Sequence, residues 1–328
     1  MSFVIAGPSS PIPNGESPAR PSIRLAHFSD LHVTQRRPGW RASDVFSKRL
    51  SGWVNLRLFG RAYRFRHAQK VLEVLSGELS SRNFDHLIFS GDATALGFDK
   101  EVERAARLLH VGETGRPQGL AVPGNHDYFT DKSVREGSFE RHFAPWQTGF
   151  RVSSDIYPFA QKVGPVWMIG VNSCTSNRWA WDASGEVGID QLKRLKDLLN
   201  QLDPGLRILV THYPILQANR RREPRVRALR DLDRLLDVAS QGGISLWLHG
   251  HRHDRFHHNP ADGHVPFPVV CAGSATQSGR WSYAEYTLKG GDLHGARRVY
   301  NRSANRFEDQ ETFYLQLNSS SLTAKGSV

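Results

Sequence analysis

Histidine, aspartate and asparagine residues recur in short polar segments, each of which follows an apolar run of the sequence. Their side chains offer nitrogen and oxygen atoms and no thiolate, a donor set that favours Mn²⁺, Fe, Zn²⁺ or Co²⁺ over Ca²⁺. Eight such groups are too many for one ion and suit two: Asp30, His32, Asp92, Asn125, His126, His212, His251 and His253. Because cations about 3.5–4 Å apart repel each other, one carboxylate is expected to bridge them.

The tetrapeptide at positions 124–127 combines three kinds of chemistry after the apolar run at 119–122. Asn125 offers a neutral carbonyl oxygen to a divalent cation, and His126 can carry a proton near neutral pH. Asp127 can fix the tautomer of a histidine or hold it charged. A polar turn after a strand is also a common structural feature. The tetrapeptide therefore indicates a site only together with the other four segments.

Strands and helices alternate in the first half of the chain, which predicts a largely parallel sheet. Apolar runs predict strands at 23–28, 85–89, 119–122, 207–210 and 244–248, and helical spacing predicts helices at 67–82, 100–110 and 133–143. Because strand-to-helix loops leave such a sheet at the carboxyl ends of its strands, the polar segments are expected to meet there. Asp30 and His32, two residues apart on an extended segment, are expected to point the same way. Strands at 267–271, 281–288 and 296–300 predict a more antiparallel second half.

The composition indicates an anionic partner. Lys and Arg number 43 against 32 Asp and Glu, which gives a net charge of +11 over 328 residues. Nucleic acid, an anionic membrane surface and a phosphorylated substrate all fit this balance. The two cysteines form no CxxC pair, which fits a reducing cytoplasm. No apolar run approaches the ~20 residues that span a bilayer, so membrane contact would be peripheral, on the inner membrane surface.

One domain is expected over residues 22–317, between a disordered leader at 1–21, rich in Pro, Ser and Gly, and a polar tail at 318–328. Within it, the segment 36–66 alternates arginines with aromatic residues, and Ser43 is expected to cap a helix that runs toward Asn55. Such an insert suits either a water–lipid interface or an amphipathic helix packed on its own domain. A second arginine-rich segment, 218–230, follows the His212 strand end, so both segments are expected to flank the site. Four of their residues are candidate substrate contacts: Arg49, Asn55, Arg220 and Arg221.

The order Asp-x-His, Gly-Asp, Gly-Asn-His-Asp, His and Gly-His-x-His, spread from Asp30 to His253, resembles the calcineurin-like metallophosphoesterase superfamily. The resemblance implies an α/β fold, a four-layer αββα sandwich with mixed sheets, and a dinuclear site on its rim. It further implies that Asp30, His32 and His253 hold the first metal, that Asn125, His212 and His251 hold the second, and that Asp92 bridges them. Two divalent ions are the implied cofactors, with Mn²⁺ expected and Fe, Zn or Co as alternatives.

The resemblance also implies catalytic roles in an in-line attack by a bridging hydroxide. His126 matches the histidine that contacts the substrate phosphate and protonates the leaving oxygen, and Asp127 would orient it. The Gly-Asn-His-Asp form resembles the phosphodiesterase and pyrophosphatase branches. A protein phosphatase is disfavoured, because Gly91-Asp92 is not followed by the Arg-Gly element of that branch.

Three substrate classes stay open. The segment 47–55 is similar to chlamydial-type UDP-2,3-diacylglucosamine pyrophosphatases of lipid A synthesis, which implies hydrolysis of a lipid-linked diphosphate. A phosphodiesterase acting on cyclic nucleotides or other small diesters is the second reading. A metal-dependent nuclease is the third, and it is supported by the charge of +11, but no segment clearly supplies the capping domain of the double-strand-break nucleases.

Overall fold

Two mixed β-sheets form the centre of the structure, a computed structural model that describes residues 22–58 and 60–317. The predicted disordered leader (1–21) and polar tail (318–328) lie outside the described residues. In chain order the strands are β1 (Ile23–Phe28), β2 (His86–Phe89), β3 (Gly119–Ala121), β4 (Phe159–Val163), β5 (Val166–Gly170), β6 (Leu206–Val210), β7 (Leu246–His249), β8 (Phe256–His258), β9 (Val269–Cys271), β10 (Ser282–Lys289), β11 (Asp292–Asn301) and β12 (Arg306–Gln316). The α-helices are α1 (Ala42–Val45), α2 (Lys48–Leu58), α3 (Arg61–Arg64), α4 (Ala68–Ser81), α5 (Asp99–Leu108), α6 (Asp131–Glu136), α7 (Ser138–Phe143), α8 (Ile189–Gln201) and α9 (Leu232–Gln241).

Each sheet combines parallel and antiparallel pairs. The first has the order β12-β11-β10-β1-β2-β3, in which β1, β2 and β3 are parallel and β10 joins β1 antiparallel. The second has the order β4-β5-β6-β7-β9-β8, parallel from β5 to β9 and antiparallel at its outer pairs. The parallel pairing expected of the first three strands is confirmed. The C-terminal hairpins extend the same sheet, because β10 pairs beside β1.

The strand side chains separate into an inner and an outer core, since alternate residues point to opposite faces of a sheet. Ile88 of β2 and Ile208 of β6 are fully buried in one apolar cluster that draws on both sheets. Leu209, the next residue of β6, packs instead in the cluster that holds Leu195 of α8 and Leu235 of α9. Helices therefore cover the outer faces, and the predicted four-layer αββα sandwich is confirmed.

Several local predictions are wrong. The helix expected at 133–143 is two helices, α6 and α7, because Gly137 adopts a left-handed conformation with φ of +56° between them. Ser43 lies inside α1 and does not cap the helix that contains Asn55. That helix, α2, begins at Lys48, and the hydroxyl of the preceding Ser47 accepts the N–H of Arg49 at 3.2 Å. The apolar pattern also fails to predict β12, a mostly exposed edge strand. No α-helix in the described part of the chain combines the length and the apolar character that crossing a membrane requires.

Buried His86 should make folding stability depend on pH. Burial lowers the pKa of His86 from 6.5 to about 4, although the hydrogen bond from its ring to Gln161 Oε1 (2.7 Å) opposes the shift. Below pH 6.5 the His86 imidazole binds a proton in the unfolded chain but stays neutral in the folded chain. The free energy of unfolding should therefore fall by about 3 kcal/mol between pH 6.5 and 4. Urea unfolding of wild-type protein and His86→Gln at pH 7, 6 and 5 measures this. Parallel stability curves for the two proteins would contradict the assignment.

Candidate metal centre

The loops that follow five strands bring the predicted residues together at one edge of the sandwich. Strands β1, β2 and β3 lead to Asp30 and His32, to Asp92, and to Asn125 and His126; β6 leads to His212, and β7 leads to His251 and His253. The first three strands belong to one sheet and the last two to the other. Neighbouring parallel strands end on the same side of their sheet, which is why residues so distant in sequence can meet.

The first group of ligands comprises Asp30, His32, Asp92 and His253. One ligand atom from each lies within 4.8 Å of all the others. His253 Nε2 is 3.1 Å from Asp30 Oδ1 and 3.0 Å from His32 Nε2. The three residues predicted for the first metal therefore lie close together beside Asp92, and their role as metal ligands stays a prediction.

The second group comprises Asn125, His212 and His251. Asn125 Oδ1 is 2.9 Å from His251 Nδ1 and 3.2 Å from His212 Nε2, and these two nitrogens are 3.3 Å apart. Asp92 Oδ2 lies between the groups, 3.5 Å from His212 Nε2 and 3.6 Å from His32 Nε2. Asp92 therefore lies within reach of both groups, and its role as a bridging ligand stays a prediction.

The ring nitrogens that face away from the site fix the histidine tautomers. His32 Nδ1 lies 3.2 Å from the Thr94 carbonyl oxygen, and His212 Nδ1 lies 2.7 Å from the Ser90 carbonyl oxygen. Since a carbonyl can only accept, each Nδ1 carries the proton and each Nε2 presents a lone pair to the site. His253 Nδ1 is likewise held by the side-chain oxygen of Gln277, a role that the sequence did not suggest. Such outer partners orient metal-binding imidazoles.

These donors fit divalent cations. The lone pairs of His32 and His253 face each other across 3.0 Å, an arrangement that is repulsive without a positive charge between them. Asp30 Oδ1 is buried and accepts no hydrogen bond from the described residues, whereas Asp30 Oδ2 accepts the N–H of His251 at 3.0 Å. A buried carboxylate oxygen left over in this way is suited to a metal ion.

The backbone at the site is strained, in contrast to the extended segments expected from the sequence. Five of the ligands have left-handed φ values: Asp30 (+55°), His32 (+45°), Asp92 (+60°), His251 (+70°) and His253 (+58°). Residues other than glycine adopt this conformation at a cost of about 1–3 kcal/mol each, and such strain concentrates at functional sites. The side chains of Asp30 and His32 therefore converge through tight turns after β1, and not through the alternation of a strand.

Two motif glycines are required by close approach, although only their neighbours were predicted as ligands. A Cβ atom on Gly124 would lie 2.1 Å from Asp92 Oδ1, and one on Gly250 would lie 1.9 Å from Ser29 Oγ. Both glycines therefore allow a second loop to approach an aspartate-bearing loop. The sequence already indicated these close approaches, because a glycine opens both the Gly-Asn-His-Asp motif and the Gly-His-x-His motif.

His126 lies beside the first group with its ring fixed. Its Nδ1 donates to the Ala95 carbonyl oxygen at 2.8 Å, and its ring stacks on Phe129 with centroids 5.4 Å apart. The ring also meets the ring of His32 edge-on at 4.8 Å. In addition, the backbone N–H of His126 donates to Asp92 Oδ1 at 2.7 Å, which leaves Asp92 Oδ2 for the site.

Asp92 is held as a carboxylate. Burial opposes its ionisation, but the imidazoles of His212 and His126 outweigh burial and place the pKa of Asp92 well below its ordinary value. The histidines thus keep a negative charge at the centre of the site, where two cations would share it.

Asp127 does not orient His126, contrary to the expectation from sequence. Its carboxylate accepts backbone N–H groups of Gly124 (2.9 Å), Asp92 (3.0 Å), Ala93 (3.2 Å) and Thr94 (3.0 Å). Burial and the charge of Asp92 raise the pKa of Asp127 to about 7, while these N–H donors oppose the rise. The carboxylate therefore stabilises the loop that carries the bridging aspartate.

The variant Asp127→Asn separates these two roles. An amide NH₂ group would face backbone donors that need an acceptor, so the free energy of unfolding should fall by roughly 1–3 kcal/mol for each N–H left unpaired. Because the loop carries Asp92, metal content after dialysis should fall as well. Urea unfolding and elemental analysis measure both quantities. Full stability and metal content with reduced turnover would instead support an orienting role toward His126.

Arg49, predicted to contact substrate, is a buried structural residue. It is only 2% exposed, and its guanidinium bonds Asp44 Oδ1 (2.7 Å), the carbonyl oxygens of Leu96 (3.3 Å) and Gly97 (2.5 Å), and Ser133 Oγ (3.1 Å). These bonds fasten α2 to α1, to the loop after β2 and to α6. The prediction of substrate contact at Arg49 is wrong, because its donors are already committed.

We expect Arg49→Met to lower the free energy of unfolding by about 3–5 kcal/mol, since it leaves the buried Asp44 carboxylate with a weaker set of cations. The matched control is Arg107→Met at an exposed arginine of α5, which should cost less than about 1 kcal/mol. Urea unfolding and KM for a small phosphodiester distinguish the roles. A raised KM with unchanged stability would restore the substrate-binding assignment.

The other three candidate substrate contacts lie on the surface. Asn55 and Arg221 are exposed, and the guanidinium of Arg220 pairs with Asp262 at 3.1 Å. The second basic segment does reach the site, because Glu223 pairs with Arg252, between His251 and His253, at 3.1 Å. Substrate contact by Asn55, Arg220 and Arg221 stays a prediction.

A cavity of about 530 Å³ opens beside His32. The ring of Phe65 lies 4.7 Å from the ring of His32, and Val33 continues the wall. The lining is mixed, with apolar side chains of Trp40, Trp53 and Leu56 and basic side chains of Arg36, Arg57, Arg66 and Arg104. Part of the insert therefore packs on the domain, while Phe46 (92%), Leu58 (74%) and Tyr63 (67%) are exposed.

Comparisons with known proteins place this architecture. The sequence matches the profile of the calcineurin-like phosphoesterases over residues 23–255. A dimetal phosphatase from Danio rerio is similar in structure, with a TM-score of 0.62, 12% identity, and coverage of 90% of this chain and 99% of that one. A purple acid phosphatase from yellow lupin (Lupinus luteus) seeds is similar with a TM-score of 0.57 and 13% identity, over 90% of this chain and 54% of that one. The structure of PhoD is similar with a TM-score of 0.58 and 10% identity, over 92% of this chain and 72% of that one. At these identities the solved structures support the fold alone. A search among curated proteins gives no significant match.

Proposed function

The chain belongs to the calcineurin-like phosphoesterase family. From this premise we propose that it hydrolyses phosphodiester or phosphoanhydride bonds with two bound divalent metal ions, both expected to be Mn²⁺. The observation that carries the proposal is the position of Asp92 Oδ2, 3.5 Å from His212 and 3.6 Å from His32. One carboxylate oxygen thus lies near both groups of candidate ligands, which supports a dinuclear centre.

The protein groups divide the work of hydrolysis. When bound, the ions would lower the pKa of a water molecule and neutralise phosphoryl oxygens. Asp30, His32 and His253 would hold one ion, Asn125, His212 and His251 the other, and Asp92 both. Water is consumed: its oxygen forms a bond to phosphorus and releases a proton to solvent, while the bond to the leaving oxygen breaks and that oxygen takes up a proton. We assign this proton to a protonated Nε2 of His126, because the Ala95 carbonyl oxygen accepts its Nδ1–H and fixes the ring.

The cavity beside His32 supports an amphipathic phosphoanhydride as substrate. Its apolar wall suits acyl chains and its arginines suit phosphate, which is the chemistry of UDP-2,3-diacylglucosamine. The exposed Phe46, Leu58 and Tyr63 stand among basic residues and suit peripheral contact with an anionic membrane, on the cytoplasmic face in this proposal. Cyclic nucleotides or other small diesters are the alternative substrates.

Purified protein loaded with Mn²⁺ tests the proposal. Bis(p-nitrophenyl) phosphate should be hydrolysed, the activity should disappear with a chelator, and it should return with Mn²⁺. No metal-dependent hydrolysis of this diester, cyclic AMP or UDP-2,3-diacylglucosamine would refute the hydrolase.

Competing substrates then decide the class. Turnover of UDP-2,3-diacylglucosamine together with salt-sensitive sedimentation on anionic liposomes supports the lipid-linked diphosphate. Turnover of cyclic AMP without liposome binding favours a small-diester phosphodiesterase. Strand cleavage with steeply salt-dependent DNA binding favours a nuclease.

A further inference from the structure

A second cavity, of about 450 Å³, lies on the His126 side of the metal centre. Its walls are the N-terminal part of the insert, the segment 130–135 and the segment 177–179. Its volume is within the range of small-molecule sites, about 300–1,000 Å³. We name it the insert cavity and define it by six of its lining residues: Phe46, Lys48, Lys132, Arg135, Arg178 and Trp179.

One aromatic ring, Phe129, contacts both His126 at the metal centre and Lys48 in the lining of the insert cavity. The ring of His126 stacks on Phe129, and the ammonium of Lys48 lies 5.1 Å from the centre of the Phe129 ring. The backbone of α2 also lies close to this ring, since a Cβ atom on Gly52 would be 2.7 Å from Phe129 Cζ. The Phe129 ring is itself buried (6% exposed), so one ring and the Lys48 side chain separate His126 from the insert cavity.

The charge of the insert cavity is positive. Four cations line it, Lys48, Lys132, Arg135 and Arg178, against two acids, Asp44 and Asp131. Both acids are engaged, Asp44 by Arg49 at 2.7 Å and by Lys132 at 3.2 Å, and Asp131 by the Ser176 hydroxyl. The surplus of cations selects an anionic ligand.

The insert cavity also offers exposed aromatic rings. Phe46 is 92% exposed and Trp179 is 53% exposed, and both line the cavity. Trp179 stacks on Trp181 at 4.9 Å with 14° between the planes, so the two indoles form a ready-made stacking platform. Single-ring ligands that also carry hydrogen-bonding edges would find Ser43 and Asn177 in the same lining.

From this combination we infer that the insert cavity binds the nucleoside monophosphate portion of the substrate, with the base against Phe46 or Trp179 and the phosphate toward Lys48 and Arg135. Positive charge next to stacking rings is the chemistry that recognises nucleotides. The inference rests on the proposed function, because it names the half of the phosphoester that lies on the His126 side. It leaves the cavity beside His32 for the other half of the substrate.

Competition binding tests the inference. Mn²⁺-loaded protein is titrated into a fluorescent N-methylanthraniloyl derivative of AMP, and anisotropy is followed while UMP, AMP, uridine or ribose 5-phosphate competes. UMP or AMP should compete at about tenfold lower concentration than ribose 5-phosphate or uridine. Phe46→Ala, Trp179→Ala and Arg135→Ala should each weaken binding about tenfold, the loss expected for one stacking or charge contact. Tyr314→Ala and Arg302→Ala, an exposed aromatic and an exposed cation elsewhere, should bind as wild type.

The outcomes separate this inference from the proposed hydrolase. Hydrolysis of bis(p-nitrophenyl) phosphate should be unchanged in the control variants Tyr314→Ala and Arg302→Ala, since neither residue belongs to the metal centre or lines the insert cavity. If wild-type protein hydrolyses no phosphodiester, the proposed function fails while the titrations still decide the insert cavity. Equal competition by ribose 5-phosphate, or unchanged nucleotide binding by both aromatic variants, would overturn the inference. So would loss of binding to phosphatidylglycerol vesicles in those variants with nucleotide binding retained, which would assign the rings to lipid.

Discussion

Asp92→Asn should leave a folded protein that binds its metal ions more than about 100-fold more weakly and has lost turnover in proportion. Removing groups that merely orient a metal ligand already costs about 10–100-fold in affinity, so loss of a charge shared by two ions should cost more. The asparagine keeps an oxygen for the N–H of His126, now 2.7 Å from Asp92 Oδ1. What it loses is the negative charge that lies between His32 and His212.

Isothermal titration of metal-free protein with Mn²⁺ and elemental analysis measure this effect. The matched control is Asp99→Asn, the same change at a half-exposed carboxylate that pairs with Arg141, and it should leave metal content and activity unchanged. Two tightly bound ions in Asp92→Asn would show that the carboxylate does not bridge. In that case the two groups of candidate ligands would either bind two ions without a shared ligand or bind a single ion between them.

The clustering of the candidate metal ligands could be predicted from sequence because their strands obey a topological rule. Parallel strands expose their following loops on one side, so polar residues after β1, β2 and β3 had to meet. The rule says nothing about the conformation of those loops. Asp30 and His32 reach the site through left-handed backbone conformations, which the alternating apolar pattern of a strand cannot predict.

The wrong assignments share another cause. Asp127 and Arg49 are charged residues beside a site, and sequence alone cannot tell whether such a charge faces the substrate or the backbone. In the structure both are buried and engaged within the protein. Asp127 accepts four backbone N–H groups, and Arg49 donates to two carbonyl oxygens and to the side chains of Asp44 and Ser133. Long-range pairing of this kind depends on the packed fold, since Arg49 and Gly97 are 48 residues apart.

His126→Ala should reduce turnover about 10²–10⁴-fold, the range for loss of a general acid, while metal content stays at the wild-type level. The backbone N–H that bonds Asp92 is kept in alanine, so the bridging carboxylate holds its place. The ring that is removed donates from Nδ1 to Ala95, which leaves Nε2 as the atom that exchanges a proton with the leaving oxygen. The exposed His294 provides the matched control, and His294→Ala should keep full activity.

The identity of the leaving group gives this prediction its sharpest form. p-Nitrophenolate leaves without protonation, so His126→Ala should hydrolyse bis(p-nitrophenyl) phosphate with a small loss. An alkyl alcohol needs a proton as it departs, so the same variant should lose most of its activity on a methyl or nucleoside ester. Equal losses on both substrates would mean that His126 acts on the phosphoryl group itself, and unchanged activity on both would remove it from catalysis. The ratio of the two losses thus reports proton transfer separately from binding, because the metal ligands and the attacked phosphorus are common to both reactions.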